Sequence, residues 1–388
     1  MRYSERLTMQ VIDLFSGCGG MSYGFMSART KNFEYRIVGA VDIDRHANET
    51  YRHMIGIPPI QAKIEEIAAL SARQLRALFQ IDRKLPLLII GCAPCQGFSS
   101  HRKKDSRSDT RNGLLESFAT IVEKLKPRYV VMENVPEMLY IKHWEHYRKW
   151  RDRLVNAGYF VTTEIYNMAD FGVPQERFRA VSIGSPSGGV DIIRPKIRPS
   201  RYRTVRQAIG DLPTLAAGER NPDDPMHITS RHRPETIRLL SLIPKDGGSR
   251  RSLPSSVGPR CFDKVDGFRD VYGRLAWDAP SVSITARCRT PSCGRFAHPE
   301  QNRGLSVREA ALLQGFPRTF YFSGPFDDKF KQVGNAVAPP FARAIAEHID
   351  TAIGHRSPMS ASVGIQGPLT KSFASSIAAK KARHQGRG

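Results

Sequence analysis

A chain of 388 residues, 40% apolar and 25% charged, can bury a sizeable core, and two structural units are the natural expectation. No apolar run reaches the length of a membrane span, Met1–Arg6 leads directly into a strand instead of a signal region, and six cysteines are too few for a disulfide scaffold, so a reduced, cytoplasmic protein is expected. The 59 Lys and Arg residues against 37 acids give a net charge of +22; arginine recurs through the middle third as well as in the acid-free stretch after Asp350, so a polyanion, nucleic acid, is the expected partner.

Met9-Gln10-Val11-Ile12-Asp13-Leu14-Phe15 reads as a buried first strand. It enters Ser16-Gly17-Cys18-Gly19-Gly20, with a helix following from about Met21 to Arg29. Strand, glycine turn and helix in that order let a ligand approach the backbone at a helix N-terminus. The G-x-G-G spacing is not the dinucleotide pattern G-x-G-x-x-G, so a mononucleoside-like cofactor fits better. A second strand, Tyr35 to Val41, ends at Asp42, where nucleoside-binding folds hold ribose hydroxyls. Asp44 reads as the cap of a helix reaching Met54, and one further helix is expected over Ile64 to Phe79.

The apolar run Leu87-Leu88-Ile89-Ile90 is another buried strand, broken by Gly91-Cys92-Ala93-Pro94-Cys95-Gln96-Gly97-Phe98-Ser99. This sets Cys95 on a loop at a strand's carboxyl end, where ligands gather in open α/β sheets. A thiol there is a nucleophile if it becomes a thiolate and meets a soft, electron-poor carbon. Cys92-x-x-Cys95 is also the spacing of a redox pair or half a zinc site. The best second pair, Cys288 and Cys293, has four residues between its members and no His at finger spacing, so no metal is expected. Residues 101–112, dense in charge, form either a solvated loop or a cationic lid over a phosphate backbone.

Gly113 to Leu125 has helical spacing, and the strand Arg128 to Met132 ends in Glu133-Asn134-Val135-Pro136, setting a carboxylate toward the crevice of Cys95. A helix near Trp144–Ala157 and strands at Tyr159–Tyr166 and Arg179–Gly184 follow. Between the last two, Arg177 and Arg179 share one face of an extended segment, two guanidinium groups for an anionic or carbonyl-bearing substrate. From Ser185 to Ala297 Pro, Gly, Arg and Ser dominate, Pro234–Leu242 is the longest helix, and a second, smaller, irregular domain is expected. Regular texture returns at Leu305–Gly315, where Ser306 and Glu309 make a capping box. After Gln332-Val333-Gly334-Asn335-Ala336-Val337-Ala338-Pro339-Pro340 a helix runs to about Ile353, and the tail from Gly354 reads as disordered.

Six of these segments, in order, resemble the DNA (cytosine-5) methyltransferases of prokaryotic restriction–modification type. They are Asp13-Leu14-Phe15-Ser16-Gly17-Cys18-Gly19-Gly20, Pro94-Cys95-Gln96, Glu133-Asn134-Val135, Gln175-Glu176-Arg177-Phe178-Arg179, Arg308-Glu309 and Gly334-Asn335-Ala336-Val337, within about residues 9–350. The resemblance implies an α/β fold, a Rossmann-like and mostly parallel sheet that binds S-adenosylmethionine, with a second, smaller irregular domain. Residues 1–184 would be the catalytic and cofactor-binding domain, 185–297 the target-recognition domain, 298–353 a segment returning to the first, and 354–388 a basic tail.

Carbon 5 of cytosine is a poor nucleophile, and a Cys95 thiolate adding to carbon 6 pushes electron density onto it. By the same resemblance Glu133 contacts ring nitrogen 3 and the exocyclic amine, Arg177 binds the carbonyl oxygen, and Arg179 helps hold the site's geometry. The cofactor would lie over Phe15, Cys18 and Gly20 with Asp42 on its ribose; Ile43, Ile64, Pro94 and Leu114 would line its pocket and Asn335, Ala336 and Val337 close it. Lys63 stands where many members carry an Asp that reaches the adenine amine. The target base must leave the stack, at a cost of a few kcal/mol, while Arg, Asn and Gln residues of 185–297 contact groove and phosphate and Thr285 resembles a backbone-contacting residue. The implied partners are double-stranded DNA and a cognate restriction endonuclease, with the protein a monomer. A tRNA cytosine methyltransferase of the same family is the alternative, although such members have a shorter variable region. A non-catalytic DNA-binding relative predicts a broken motif, whereas Cys95, Glu133 and Arg177 are all present.

Overall fold

The computed structural model describes residues 6–94, 113–254, 257, 270–352 and 364–370. Six strands form one sheet: β1 (Leu7–Leu14), β2 (Phe33–Val41), β3 (Leu87–Gly91), β4 (Tyr129–Asn134), β5 (Phe160–Asn167) and β6 (Phe178–Ser185), in the order β2-β1-β3-β4-β6-β5. The first four run parallel, and β6 runs antiparallel to both neighbours. Side chains alternate faces along a strand, and here both faces are covered. Leu88, Ile90, Tyr129 and Val131 enter one core cluster, and Leu87, Ile89, Val130 and Met132 the other. Two apolar faces explain why these strands read as continuous hydrophobic runs.

In chain order the helices are α1 (Gly20–Met26), α2 (Arg45–Ile55), α3 (Ile64–Ala69), α4 (Ala72–Leu78), α5 (Gly113–Leu125), α6 (Trp144–Asn156), α7 (Val205–Ile209), α8 (Pro234–Leu242), α9 (Val307–Leu313), α10 (Phe326–Asn335) and α11 (Pro339–Thr351). Asp44 caps α2, accepting from the backbone N–H groups of His46 and Ala47, and Ser306 and Glu309 close the expected box on α9. The single helix expected over Ile64–Phe79 is instead two. Leu70 is extended, and Ser71 starts α4 with its own capping box to Gln74, so local side-chain bonds interrupt an apolar spacing that continues through the break. None of the described helices is long and apolar enough to cross a membrane.

The irregular stretch after Ser185 does not keep its core to itself. Val205, Met226, Leu275, Trp277 and Ile284 pack in one cluster with Leu305, Val307, Leu313, Phe330 and Val333, and with Cys18 from the glycine turn. Part of the tail expected to be disordered is docked: Gly364 bridges Thr163 on the outer edge of β5, Leu369 bridges Tyr140, and Ile365 and Leu369 pack on the sheet's second core. Edge strands present unpaired backbone groups, and this segment pairs some of them, since Ile365 N–H donates to Thr163 O at 2.8 Å.

Candidate active site

Register brings the site together. Leu14 pairs with Gly91, and Gly91 with Met132, so the next residues along each strand, Phe15, Cys92 and Glu133, open onto the same carboxyl edge. The chain steps outward from β1 to β2 and later returns to β3 on β1's other side, which makes a topological switch point of the kind that holds ligands. A cavity of about 470 Å³ lies there.

One half of the cavity suits a nucleoside cofactor. Gly17 N–H donates to Asp42 Oδ2 at 2.8 Å, and Asp44 N–H to Asp42 Oδ1 at 2.8 Å. The backbone thus fixes the carboxylate and leaves a lone pair on each oxygen for hydroxyls. Burial pushes Asp42 up, against those two N–H groups. A Cβ built on Gly20 would lie 2.4 Å from the Val337 carbonyl oxygen, so only glycine lets the segment after α10 close against the turn. Phe15, Cys18, Gly20, Asp42, Ile43 and Pro94 line the cavity, as do Asn335, Ala336 and Val337. Ile64 and Leu114 do not: Ile64 is buried among α3 and α5 side chains and Leu114 packs against the same core. Lys63 is exposed at the start of α3, also outside the cavity lining.

The other half holds the charged groups. Glu133, 2% exposed, receives Arg179 Nε on Oε1 at 3.1 Å and the Cys92 thiol on Oε2 at 2.7 Å. Asn134 Nδ2 donates to Ala93 O at 3.1 Å, stitching the end of β4 to the segment that leads through Pro94 to residue 95. Arg177 sits differently from Arg179. It precedes β6, is buried, and donates from Nη1 to Ile284 O at 2.7 Å and from Nη2 to Gly334 O at 2.9 Å. A Cβ on Gly334 would fall 2.1 Å from Ala286 N, and that closeness brings the Thr285 segment within reach of the guanidinium. The structure therefore places Arg179, not Arg177, against Glu133. Cys95 and residues 101–112 lie outside the described residues. Cys288 is buried in the core around α9, apart from Cys92 in the cavity.

Sequence reasoning missed two groups that line the cavity. Asp13 is buried and pushed by burial to about 7, with Ser22 Oγ donating to it at 2.6 Å; its signal was an acid inside an apolar strand. Lys331 of α10 pairs with Asp44 at 2.5 Å across the cavity rim, and nothing in the sequence announced a partner so distant. Cys18, buried and pushed up to about 12, lines the wall as a neutral thiol.

A mostly parallel sheet with one reversed strand, a glycine turn after β1 and an acid after β2 define a Rossmann-like, S-adenosylmethionine-dependent methyltransferase fold. The chain belongs to the C-5 cytosine-specific DNA methylase family, whose model matches residues 9–351. It is 36% identical over 346 residues to the type II methylase M.HgiDII of Herpetosiphon aurantiacus, covering 87% of this chain and 94% of that protein. It is likewise 36% identical over 345 residues to the type II methyltransferase M1.HphI of Haemophilus parahaemolyticus, covering 88% of this chain and 87% of that one. Among solved structures it is similar to an E. coli protein described as a prophage-encoded DNA modification methyltransferase, with 25% identity, a TM-score of 0.67, and coverage of 88% of this chain and 99% of that chain. The enzyme is a DNA (cytosine-5) methyltransferase whose cofactor is S-adenosylmethionine.

Proposed function

We propose that the enzyme methylates a cytosine flipped out of one specific duplex sequence, as the modification partner of a restriction endonuclease, and that it works as a monomer in the cytoplasm. The type II methylases it resembles support the pairing, and the net charge of +22 suits a duplex partner. In this reading 185–297 is the target-recognition segment that faces the DNA grooves, with its core continuous with that of α9 and α10.

The carrying observation is the Glu133–Arg179 pair in the same cavity as the glycine turn and Asp42. In this reading Cys95 adds to carbon 6 of the flipped base, forming an S–C bond and raising electron density at carbon 5. As the thiolate adds, the ring takes up a proton from solvent at nitrogen 3, and Glu133 accepts from that N–H and from the exocyclic amine, holding the ring as charge develops. Arg179, which lines the cavity beside Glu133, takes the carbonyl oxygen, and Arg177 keeps the 284–286 segment and the end of α10 in register. These two roles exchange what the family resemblance suggested, because Arg177 gives both terminal nitrogens to backbone carbonyls, whereas Arg179 gives one to Phe178 O and its Nε to Glu133. When bound, S-adenosylmethionine supplies an electrophilic methyl group, and Phe15, Asp42 and Asn335 would hold it. Loss of the carbon 5 proton and departure of Cys95 restore the aromatic ring.

A duplex carrying 5-fluorocytosine at the target cannot lose that proton. Incubated with enzyme and S-adenosylmethionine, it is expected to yield a covalent complex mapped by peptide mass spectrometry to Cys95. Absence of that adduct on DNA the enzyme otherwise methylates would overturn the assignment.

A further inference from the structure

The Cys92 thiol is used in none of these steps, yet it lines the cavity and donates to the buried carboxylate that holds the base. An ionised carboxylate offers about four lone-pair positions. Arg179 occupies one on Oε1 and Cys92 one on Oε2, which leaves one on each oxygen. A cytosine protonated at ring nitrogen 3 presents two donors along one edge, that N–H and the exocyclic amine, and so matches the remaining pair. Cys92 also stands at the end of β3, one residue before Ala93, whose carbonyl accepts from Asn134. Two adjacent bonds thus join the strand that carries Glu133 to the segment that leads to residue 95.

We propose that Cys92 is a positioning residue: its S–H holds the Glu133 carboxylate in the orientation that leaves both free lone pairs toward the flipped base, and ties that orientation to the segment carrying the nucleophile. The proposal rests on the reading of Glu133 as the base-holding group. A thiol that merely filled space would be replaceable by any side chain of its size, whereas a donor is replaceable only by another donor.

Three variants separate these roles. Cys92→Ser keeps a donor, Cys92→Val fills the volume without one, and Cys92→Ala removes both. Single-turnover methylation of a duplex substrate is expected to slow about 10- to 100-fold in the Val and Ala variants, the worth of a hydrogen bond to a buried charge. The Ser variant is expected within about threefold of the parent, since a hydroxyl retains a donor at this position and is a stronger one than the thiol. KM for S-adenosylmethionine stays unchanged in all three, and the rate of covalent trapping on 5-fluorocytosine DNA follows the same ranking. If the Ala variant melts well below the parent, the Val variant is the one read. Val and Ser rates equal to each other and to the parent overturn the role of Cys92. Glu133→Gln is measured alongside: full activity there overturns the reading of Glu133, whereas a slow Glu133→Gln enzyme beside a fast Cys92→Val enzyme overturns only the role of the thiol.

Discussion

Arg179 Nε lies 3.1 Å from Glu133 Oε1, while Arg177, two residues earlier and lining the same cavity, donates to the carbonyls of Ile284 and Gly334. Two arginines of one short motif therefore serve different ends. Removing Arg179 strips a buried carboxylate of its cation at the point where charge develops. Arg179→Ala is expected to lower kcat by about 10²- to 10³-fold, the usual loss for one such donor, and to cost stability as well, since it leaves a buried carboxylate without its cation. Arg177→Ala orphans two buried acceptors and is expected to cost about 2–4 kcal/mol of stability, read by urea denaturation. An Arg179→Ala enzyme with undiminished kcat, or an Arg177→Ala enzyme as stable as the parent, would contradict the division of labour.

The seal between the glycine turn and the C-terminal segment makes a second prediction. A methyl group on Gly20 would meet the Val337 carbonyl oxygen at 2.4 Å and crowd Phe316 Cζ at 3.2 Å. One segment must move, and overpacking of this kind costs about 1–3 kcal/mol. Gly20→Ala is expected to weaken S-adenosylmethionine binding about tenfold or more, measured by calorimetry. Unaltered affinity would mean that the closure is not part of the cofactor site.

Much of this was legible in the sequence because burial on both faces leaves a strong trace. Leu87–Gly91 and Tyr129–Asn134 read as strands since neither face can carry a charge until the carboxyl end, where Glu133 marks the crevice. The break at Leu70 was not legible in the apolar spacing, which runs on from Ile67 to Leu75, but it was present in Ser71 and Gln74. The roles of Arg177 and Arg179 could not be sorted by period alone. Their shared face is a local property, whereas the carbonyls that claim Arg177 lie 107 and 157 residues away in sequence. The same holds for Lys331 and Asp44, separated by 287 residues.

A buried ion pair at the junction behind the site makes stability depend on pH in a direction that can be worked out. Arg303 donates from Nη1 and Nη2 to the two oxygens of Glu309 at 2.8 and 2.7 Å, and His298 Nε2 lies 3.8 Å from the same carboxylate. Burial would push the Glu309 carboxyl up, but Arg303 outweighs it and holds it at about 2. Burial pushes His298 down to about 4, against the pull of Glu309. Its Nδ1 accepts from the backbone N–H groups of Glu300 and Gln301, which requires that nitrogen to be unprotonated. An unfolded chain protonates histidine near 6.5 and glutamate near 4.5. Between pH 6.5 and 4 the unfolded state therefore binds the extra proton at His298, and between 4.5 and 2 the one at Glu309, so both contributions are lost as pH falls. The histidine step amounts to about 2–3 kcal/mol. Urea unfolding is expected to show the parent losing that much stability relative to His298→Asn from pH 6.5 to 4; the comparison cancels the opposite contribution of Asp13, whose raised pKa adds stability over the same window. A His298→Asn curve as steep as the parent's would place the titrating group elsewhere.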